Sequence, residues 1–563
     1  MQSTTISSRV HDILKKRGFD GDALDAFLKP DFIRDTHSPQ LFVDMDKAVE
    51  RTMKAIAAGE KIAVYADFDA DGIPGAVVMH DVFRLLGYDN FIAYIPDRDN
   101  EGFGFHKHAV DALASDGVSL IITIDVGAAS VETIAYAQAR GVDVIVTDHH
   151  EYDKLRINAF ACVHPRHGGY PFEHLCGAAV AYKFACALFA TAQAQNIGDA
   201  QKHHAEATKW MLDMVAIATI ADMVPLLGEN RTLARFGIQV LQKSRRPGMR
   251  ALCAVGKLRQ PMLTEEDIGF SIAPRVNAAS RMSSPRIAYD LFTTTQADEA
   301  ERLARELDAL NTKRKATTSA LTKNLRKRIE ALPKLPDVIV LGSYEYKPAL
   351  LGSVATTLVA RYDRPVCLWG REQTGAIKGS ARTNGTTSVL TLFTHAGSIL
   401  THAGGHDNAG GFAVDEAQLH QLDDTFQHAY MQCATPKQER VDLCGILPVS
   451  LSEVGMTLVK ELDQLRPFGE GNPKPRFQIT GTLSSIAAFG KEGAHTELML
   501  TNTSGVRVRA YRFFVTPDEL PAHVRVNTTI SLCGTPERNA FMPQRVEFRF
   551  DHIAPIDKIE GAL

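Results

Sequence analysis

Between residues 61 and 150, short continuous apolar runs alternate with amphipathic stretches. The runs "IAVYA" (62–66), "FIAYI" (91–95), "LIITI" (120–124) and "VIVT" (144–147) are rich in branched side chains. Strands buried on both faces read this way. The segments "GAVVMHDVFRLLG" (75–87) and "SVETIAYAQARG" (130–141) carry a helical period instead. The alternation predicts an α/β fold with a parallel sheet covered by helices. A mostly helical stretch follows to about residue 330 and ends in a long charged segment, 296–334, whose period suits a connector between two lobes. A second α/β segment opens at "DVIVLG" (337–342), continues through "PVCLWG" (365–370) and reaches the glycine-rich "HAGGHDNAGGF" (402–412). From about residue 440, "RFQITGTLSSIAAF", "HTELMLTN", "VRVRAYRFF", "TTISLCGTPE" and "QRVEFRFDHI" read as five short strands, enough for a small OB-fold-like β-barrel. The predicted organisation is a helical segment (1–50), a first α/β domain (51–230), a helical region with the connector (231–334), a second α/β lobe (335–435) and the barrel (436–563).

A chain of 563 residues is too long for one core, which agrees with several domains. No apolar run approaches the ~18 residues of a membrane span, so no membrane partner is expected. The opening "MQSTTISSRVHDILKKRGFD" carries no apolar leader. Eight cysteines (Cys162, Cys176, Cys186, Cys253, Cys367, Cys433, Cys444, Cys533) are scattered singly without a CxxC pair. This argues against a zinc ribbon or a disulfide framework and fits a reducing cytoplasm. The net charge of −4 means that a nucleic-acid partner must be met by a local basic surface. "KSRRPGMR" (243–250), "KRK" (313–315) and "LRKR" (325–328) are candidates, each of which reads equally as a solvated face.

The stretch "VYADFDADGIPG" (64–75) sets Asp67, Asp69 and Asp71 at alternate positions directly after a strand. Like charges this close disfavour ionisation unless a cation offsets them. A calcium-binding helical loop is excluded: its twelfth position, which must be a bidentate Glu, is Val78. Taken alone, the motif also suits a polar loop or a helix cap. Its neighbours favour a metal. Asp125 follows strand 120–124, and Asp148, His149 and His150 follow strand 144–147. Parallel sheets bind ligands at such carboxyl ends. Asp222, after the apolar run 214–221, can reach the same rim. Carboxylates with imidazole and no thiolate suit Mn²⁺ or Mg²⁺. So many acids would over-neutralise one divalent ion; two ions sharing a carboxylate are expected, an arrangement suited to in-line displacement at phosphorus.

The motifs "DFDADG", "TIDVG", "TDHHE" and "ATIADMVPL" resemble motifs I to IV of the DHH phosphoesterase superfamily. "RVNAASR" (275–281), "KGSART" (378–383) and "AGGHDNAGGF" (403–412) resemble further motifs of the RecJ family within it, in order from about residue 20 to the C-terminus. The resemblance implies a DHH lobe, a second lobe with a GGH motif and a C-terminal OB-fold. It implies a metal-dependent exonuclease degrading single-stranded DNA 5′→3′ to mononucleotides in recombination and repair, with Mn²⁺ or Mg²⁺. Asp69 and Asp125 would hold one ion, and Asp71, Asp125, His149 and Asp222 the other. Asp67, Asp148 and His150 would be ligands or would orient ligands. Arg281, Ser380 and Arg382, with Asn277, Gly404 and Gly405, fall on the implied 5′-phosphate pocket. His406 would face the transferring phosphoryl group, and Arg98 would line the DNA path. Single-strand-binding protein and a helicase are the implied partners of a cytoplasmic monomer. One segment departs: "YKPALLGSVATTL" (346–358) has Lys347 where the family reads His, Ala349 for Gly and Thr357 for Arg, which marks a divergent member and leaves DNA grip and the choice of DNA over RNA open. Two other readings compete. A DHH phosphodiesterase for short oligonucleotides or cyclic dinucleotides would not need residues 440–563. A catalytically silent RecJ-like replication scaffold would not need the complete acidic set. In the barrel, Tyr511 and Phe513 suit base stacking or core alternation, and core is the expectation.

Overall fold

The computed structural model describes residues 7–151, 157–204, 206–436, 446–539, 542 and 544–554; Cys444 lies outside the described residues. Two compact units divide the chain, one of His37–Val224 and Phe236–Arg440, the other of Met1–Thr36, Pro225–Arg235 and Val441–Leu563.

The larger unit holds two sheets. The first contains β1 (Lys61–Ala66), β2 (Phe91–Tyr94), β3 (Val118–Ile124), β4 (Asp143–Thr147) and β5 (Ala161–Val163) in the order β2-β1-β3-β4-β5, all parallel. Strand order reverses between β1 and β3, which opens a crevice at their carboxyl ends. The central strands are continuous apolar runs because helices cover both faces. One of these, Gly177–Gln195, is rich in alanine and buried along most of its length, so it lies close to the sheet.

The connector is a single helix, Ala297–Glu330, about 50 Å long. Asp298 and Glu299 in its first turn and Lys327 and Arg328 in its last complement the helix dipole. Its first half packs on helices Pro247–Val255, Ala273–Met282 and Arg286–Thr293. Leu321, Leu325 and Ile329 from its second half share an apolar core with Ile339, Leu351, Val354 and Leu358 of the second lobe. That lobe carries β6 (Ile339–Gly342), β7 (Val366–Arg371), β8 (Ile377–Arg382), β9 (Leu400–His406) and β10 (Ala409–Val414), ordered β6-β7-β8-β10-β9. Only β6 and β7 pair in parallel.

The second unit is the barrel. It comprises β11 (Ile446–Pro448), β12 (Arg476–Phe489), β13 (His495–Thr501), β14 (Arg507–Arg512), β15 (Thr529–Arg538) and β16 (Val546–Ala554), closed by the β12–β15 pairing. Helices Ser8–Lys16 and Gly21–Leu28 contribute Val10, Ile13, Leu14, Leu24 and Phe27 to this same core. Helices this short cannot bury an apolar stripe alone. The barrel unit therefore includes N-terminal helices that the apolar pattern assigns to a segment of their own. Arg231 fastens the inserted stretch 225–235: its guanidinium lies 3.6 Å from the Phe27 ring centroid and donates to the carbonyls of Leu465 and Arg466, each at 3.0 Å. Among the described residues no helix is long and apolar enough to cross a membrane.

Candidate metal and phosphate site

The parallel register builds the first part of the site. Ala66 pairs with Ile124, Ile124 with Thr147, and Thr147 with Val163. The next residues, Asp67, Asp125, Asp148 and His164, therefore stand side by side across the sheet rim. Their amides continue the ladder: Asp67 donates to the Ile124 carbonyl (3.1 Å) and Asp125 to that of Thr147 (2.9 Å). Asp125 takes φ +61°, a left-handed conformation that Asp tolerates better than most residues and that turns its carboxylate over the rim. Gly177 is what allows this, because a Cβ there would stand 2.5 Å from the Asp125 Cβ.

The loop after β1 supplies the rest. Asp69 Oδ1 accepts from the amides of Asp71 (2.8 Å) and Gly72 (3.2 Å). Asp71 receives the amides of Gly177 and Ala178, both at 2.7 Å, and so caps the helix Gly177–Gln195. Asp222 follows helix Leu212–Ala221 and reaches the cluster from the side. Ligand atoms converge in three groups: Asp67, Asp69 and Asp125; Asp71, His149 and Asp222; and Asp125, His149 and His150. Within them His149 Nε2 lies 3.1 Å from Asp125 Oδ1 and 3.6 Å from Asp222 Oδ2.

Electrostatics state what this cluster needs. Asp67 Oδ1, Asp125 Oδ1 and His149 Nε2 are buried without a hydrogen-bond partner among the described residues. Burial and neighbouring carboxylates push Asp67, Asp125 and Asp222 well above the usual carboxylate range, and push Asp71 up to about 6. Burial, with the charge of His150, pushes His149 down to about 3, which leaves the imidazole neutral and with a nitrogen lone pair to offer a metal. Buried carboxylate oxygens and an imidazole nitrogen that converge from separate elements, at a cost in charge repulsion that only a cation relieves, fit divalent ions of the Mn²⁺ or Mg²⁺ kind.

Asp148 behaves otherwise. Its Oδ1 accepts from the His149 amide (2.7 Å), the His150 amide (3.1 Å) and His150 Nδ1 (2.8 Å), while Oδ2 accepts from the Ala128 amide (2.9 Å). Burial alone would raise its pKa, but the His150 hydrogen bond and charge outweigh that and hold the carboxyl below its usual range. Asp148 therefore stands outside the three ligand groups and orients His150. The buried His164, which no sequence motif singles out, braces the same loop: its Nε2 meets the His150 carbonyl at 2.9 Å. An Asp148→Asn substitution keeps the shape but weakens this anchoring, and Mn²⁺ affinity measured by titration should fall about 10- to 100-fold.

A group of cations adjoins the acids. Asn277 Oδ1 accepts the Ala70 amide at 3.0 Å, which docks helix Ala273–Met282 on the acidic loop. Arg281 is one turn further on the same helix face and donates to the Ala349 carbonyl at 2.7 Å. Burial, together with the charges of Arg98, Arg314 and Arg382, pushes Arg281 down to about 9, while the charge of Asp69 acts the other way. Burial lowers Arg314 and Arg382 too. None of these four arginines has a carboxylate partner among the described residues, so the group presents uncompensated positive charge to an anion. Arg98 lies over the Phe68 ring at 4.9 Å from its centroid. Arg314, absent from the residues expected at the site, comes from the long connector helix.

The second lobe is less tightly engaged. Alternation along β8 puts Lys378, Ser380 and Arg382 on one face. Gly404, Gly405 and His406 are exposed on the edge strand β9, where His406 pairs with Ala409, and the His406 side chain makes no hydrogen bond or ion pair among the described residues, so the structure does not join it to the acidic cluster. In the barrel, Tyr511 is buried and donates to Glu537 Oε2 (2.8 Å), as core alternation predicts, whereas Phe513 is 45% exposed and its neighbour Phe514 83%.

Fold and site together define a DHH-type α/β protein with a carboxylate–imidazole cluster at the rim of its sheet. The chain matches the family models "DHH family, N-terminal domain" over residues 61–219, "DHHA1 domain" over 336–432 and "RecJ OB domain" over 447–552. It belongs to the RecJ family. The single-stranded-DNA-specific exonuclease RecJ of Escherichia coli is 30% identical over 472 residues, 82% of each chain. The Bacillus subtilis protein of that name is 33% identical over 89% of this chain, which spans 62% of that relative's length. The crystal structure of RecJ in complex with Mn²⁺ from Thermus thermophilus matches at a TM-score of 0.79 and 26% identity, covering 97% of this chain and 76% of that one.

Proposed function

We propose that the chain is a single-strand-specific DNA exonuclease that hydrolyses its substrate from the 5′ end to mononucleotides. The observation that carries this reading is the adjacency of two unlike sites, a cluster of crowded acids and a group of arginines without carboxylate partners among the described residues, joined by the Asn277–Ala70 hydrogen bond. Asp67, Asp69 and Asp125 would hold one divalent ion, and Asp71, Asp125, His149 and Asp222 a second. Bound Mn²⁺ or Mg²⁺ polarises phosphoryl oxygens and makes water a better nucleophile. Asp148 and His164 keep the His149–His150 loop in place. Arg281, Arg382, Arg314 and Ser380 bind the terminal phosphate, which sets the register of the first phosphodiester against the acids. Asn277 ties that pocket to the acidic loop, and Arg98 lines the path of the strand. Gly404 leaves room beside the backbone, Gly405 lets Ala409 and Gly410 pass closely, and the exposed His406 side chain is available to the phosphoryl group. A role in recombination and repair beside single-strand-binding protein and a helicase follows from family membership.

A time course on 5′- and 3′-labelled single strands, duplex and a dinucleotide, with Mn²⁺, Mg²⁺ or EDTA, tests the proposal. Labelled mononucleotide should appear at once from the 5′-labelled strand. The 3′-labelled strand should shorten progressively, and duplex or EDTA should yield nothing. Initial release of the 3′ label, or faster turnover of the dinucleotide than of a long strand, would overturn it.

A further inference from the structure

The loop after β2, "PDRDNEGFGF" (96–105), carries Arg98 and is braced from within. Asp97 Oδ1 accepts the amides of Asp99 (3.0 Å) and Asn100 (2.9 Å), and the Asp97 amide donates to Glu101 Oε2 (2.6 Å). This internal turn frees the Asp99 carboxylate to leave the loop. It crosses to the second lobe, where Asp99 Oδ2 lies 2.8 Å from Lys347 Nζ. Lys347 is the N-cap of helix Pro348–Tyr362.

The start of that helix also touches Arg281 and Arg382. The Ala349 carbonyl accepts Arg281, and Gly352 passes under Arg382 so closely that a Cβ would stand 2.6 Å from its guanidinium. One stretch, 347–352, thus meets the Arg98 loop, Arg281 and Arg382. Lys347 occupies the position where the family pattern reads histidine. Side chains 32% and 23% exposed make an ion pair of little weight in global stability. Its effect is geometric: it joins two lobes at the one loop that carries Arg98.

We infer that the Lys347–Asp99 ion pair is a positioning device which clasps the Arg98 loop to the second lobe and so assembles the anion-binding group for a phosphate-bearing single strand. The inference rests on the exonuclease reading and extends it. Asp99 neutralises Lys347, so the pair organises the cations around it without adding net charge. Both residues act through Arg98 and neither touches the reacting phosphate.

The test is a charge-swap cycle in the full-length protein: Lys347→Ala, Asp99→Ala, and the double Asp99→Lys/Lys347→Asp. Steady-state cleavage of a 5′-phosphorylated strand is measured, along with binding of the same strand in EDTA and hydrogen exchange across residues 96–105. Each single variant should raise KM and Kd about 5- to 10-fold with kcat within about twofold, and the swap should recover most of the loss. Exchange in the loop should rise in the singles and fall back in the swap. If Lys347 instead grips DNA directly, Asp99→Ala tightens binding while Lys347→Ala weakens it, and the swap does not rescue; that pattern, or unchanged constants in both singles, overturns the inference. Wild-type protein that binds but never cleaves single strands would overturn the exonuclease reading, while the binding and exchange arms still decide the role of the clasp.

Discussion

Asp125→Asn should abolish hydrolysis, with kcat falling by about three orders of magnitude or more, while single-strand binding in EDTA persists. The variant removes the one carboxylate that falls in two of the ligand groups, and losing several kcal/mol of transition-state charge stabilisation corresponds to that factor. Asn keeps the shape and tolerates the left-handed backbone at this position, so a folding defect is not expected. The same variant should be more heat-stable than the wild type when both are free of metal. Burial and the charges of Asp71, Asp69, Asp67 and Asp222 raise the Asp125 pKa, so its ionised form opposes folding. The sign follows from linkage. A carboxyl whose folded pKa is raised binds more protons folded than unfolded, and stability falls as pH rises through the unfolded value. For Asp71 that window runs from 3.8 to about 6, and it extends higher for Asp67, Asp125 and Asp222. Calorimetry of the metal-free protein should show Tm declining as pH rises through this range, a shallower decline in Asp125→Asn, and recovery of the wild type on adding Mn²⁺.

Arg281→Ala should raise KM for a 5′-phosphorylated strand about 10- to 100-fold, the range for losing charge-assisted hydrogen bonds. The preference for 5′-phosphorylated over 5′-hydroxyl ends, as a ratio of kcat/KM, should collapse towards one. Arg281→Lys should fall between, since an ammonium keeps the charge but not the bidentate fork. An unchanged end preference in Arg281→Ala would place the terminal phosphate elsewhere.

The legible parts of the molecule are those where burial writes a continuous signal. Strands β1, β3 and β4 carry continuous apolar runs because both faces are covered, and the acids that end all three are visible as breaks in those runs. The three-residue β5 is too short to carry such a signal, so His164 at its end stays hidden. The glycine-rich segment 402–412 shows no strand period, yet β9 and β10 run through it. Glycine is required in this sheet for packing: a Cβ at Gly410 would meet Phe393 at 2.7 Å. Arg314 lies inside "KRK", a stretch that reads equally as a solvated face; only the docking of the long helix against helix Ala273–Met282 brings it beside Arg281. Asp148 looks like its acidic neighbours in sequence. Its role emerges from where its hydrogen bonds go, which spacing does not encode. The N-terminal helices are legible as helices, but their core partners lie more than 400 residues away in the barrel.

The central claim is that side chains from β1, β3, β4 and the helix ending at Ala221 converge to hold two divalent cations. The direct measurement is an anomalous difference map from a crystal soaked in Mn²⁺. The account predicts two peaks, one among Asp67, Asp69 and Asp125 and one among Asp71, His149 and Asp222. A map with no peak beside Asp125 and His149 would contradict it.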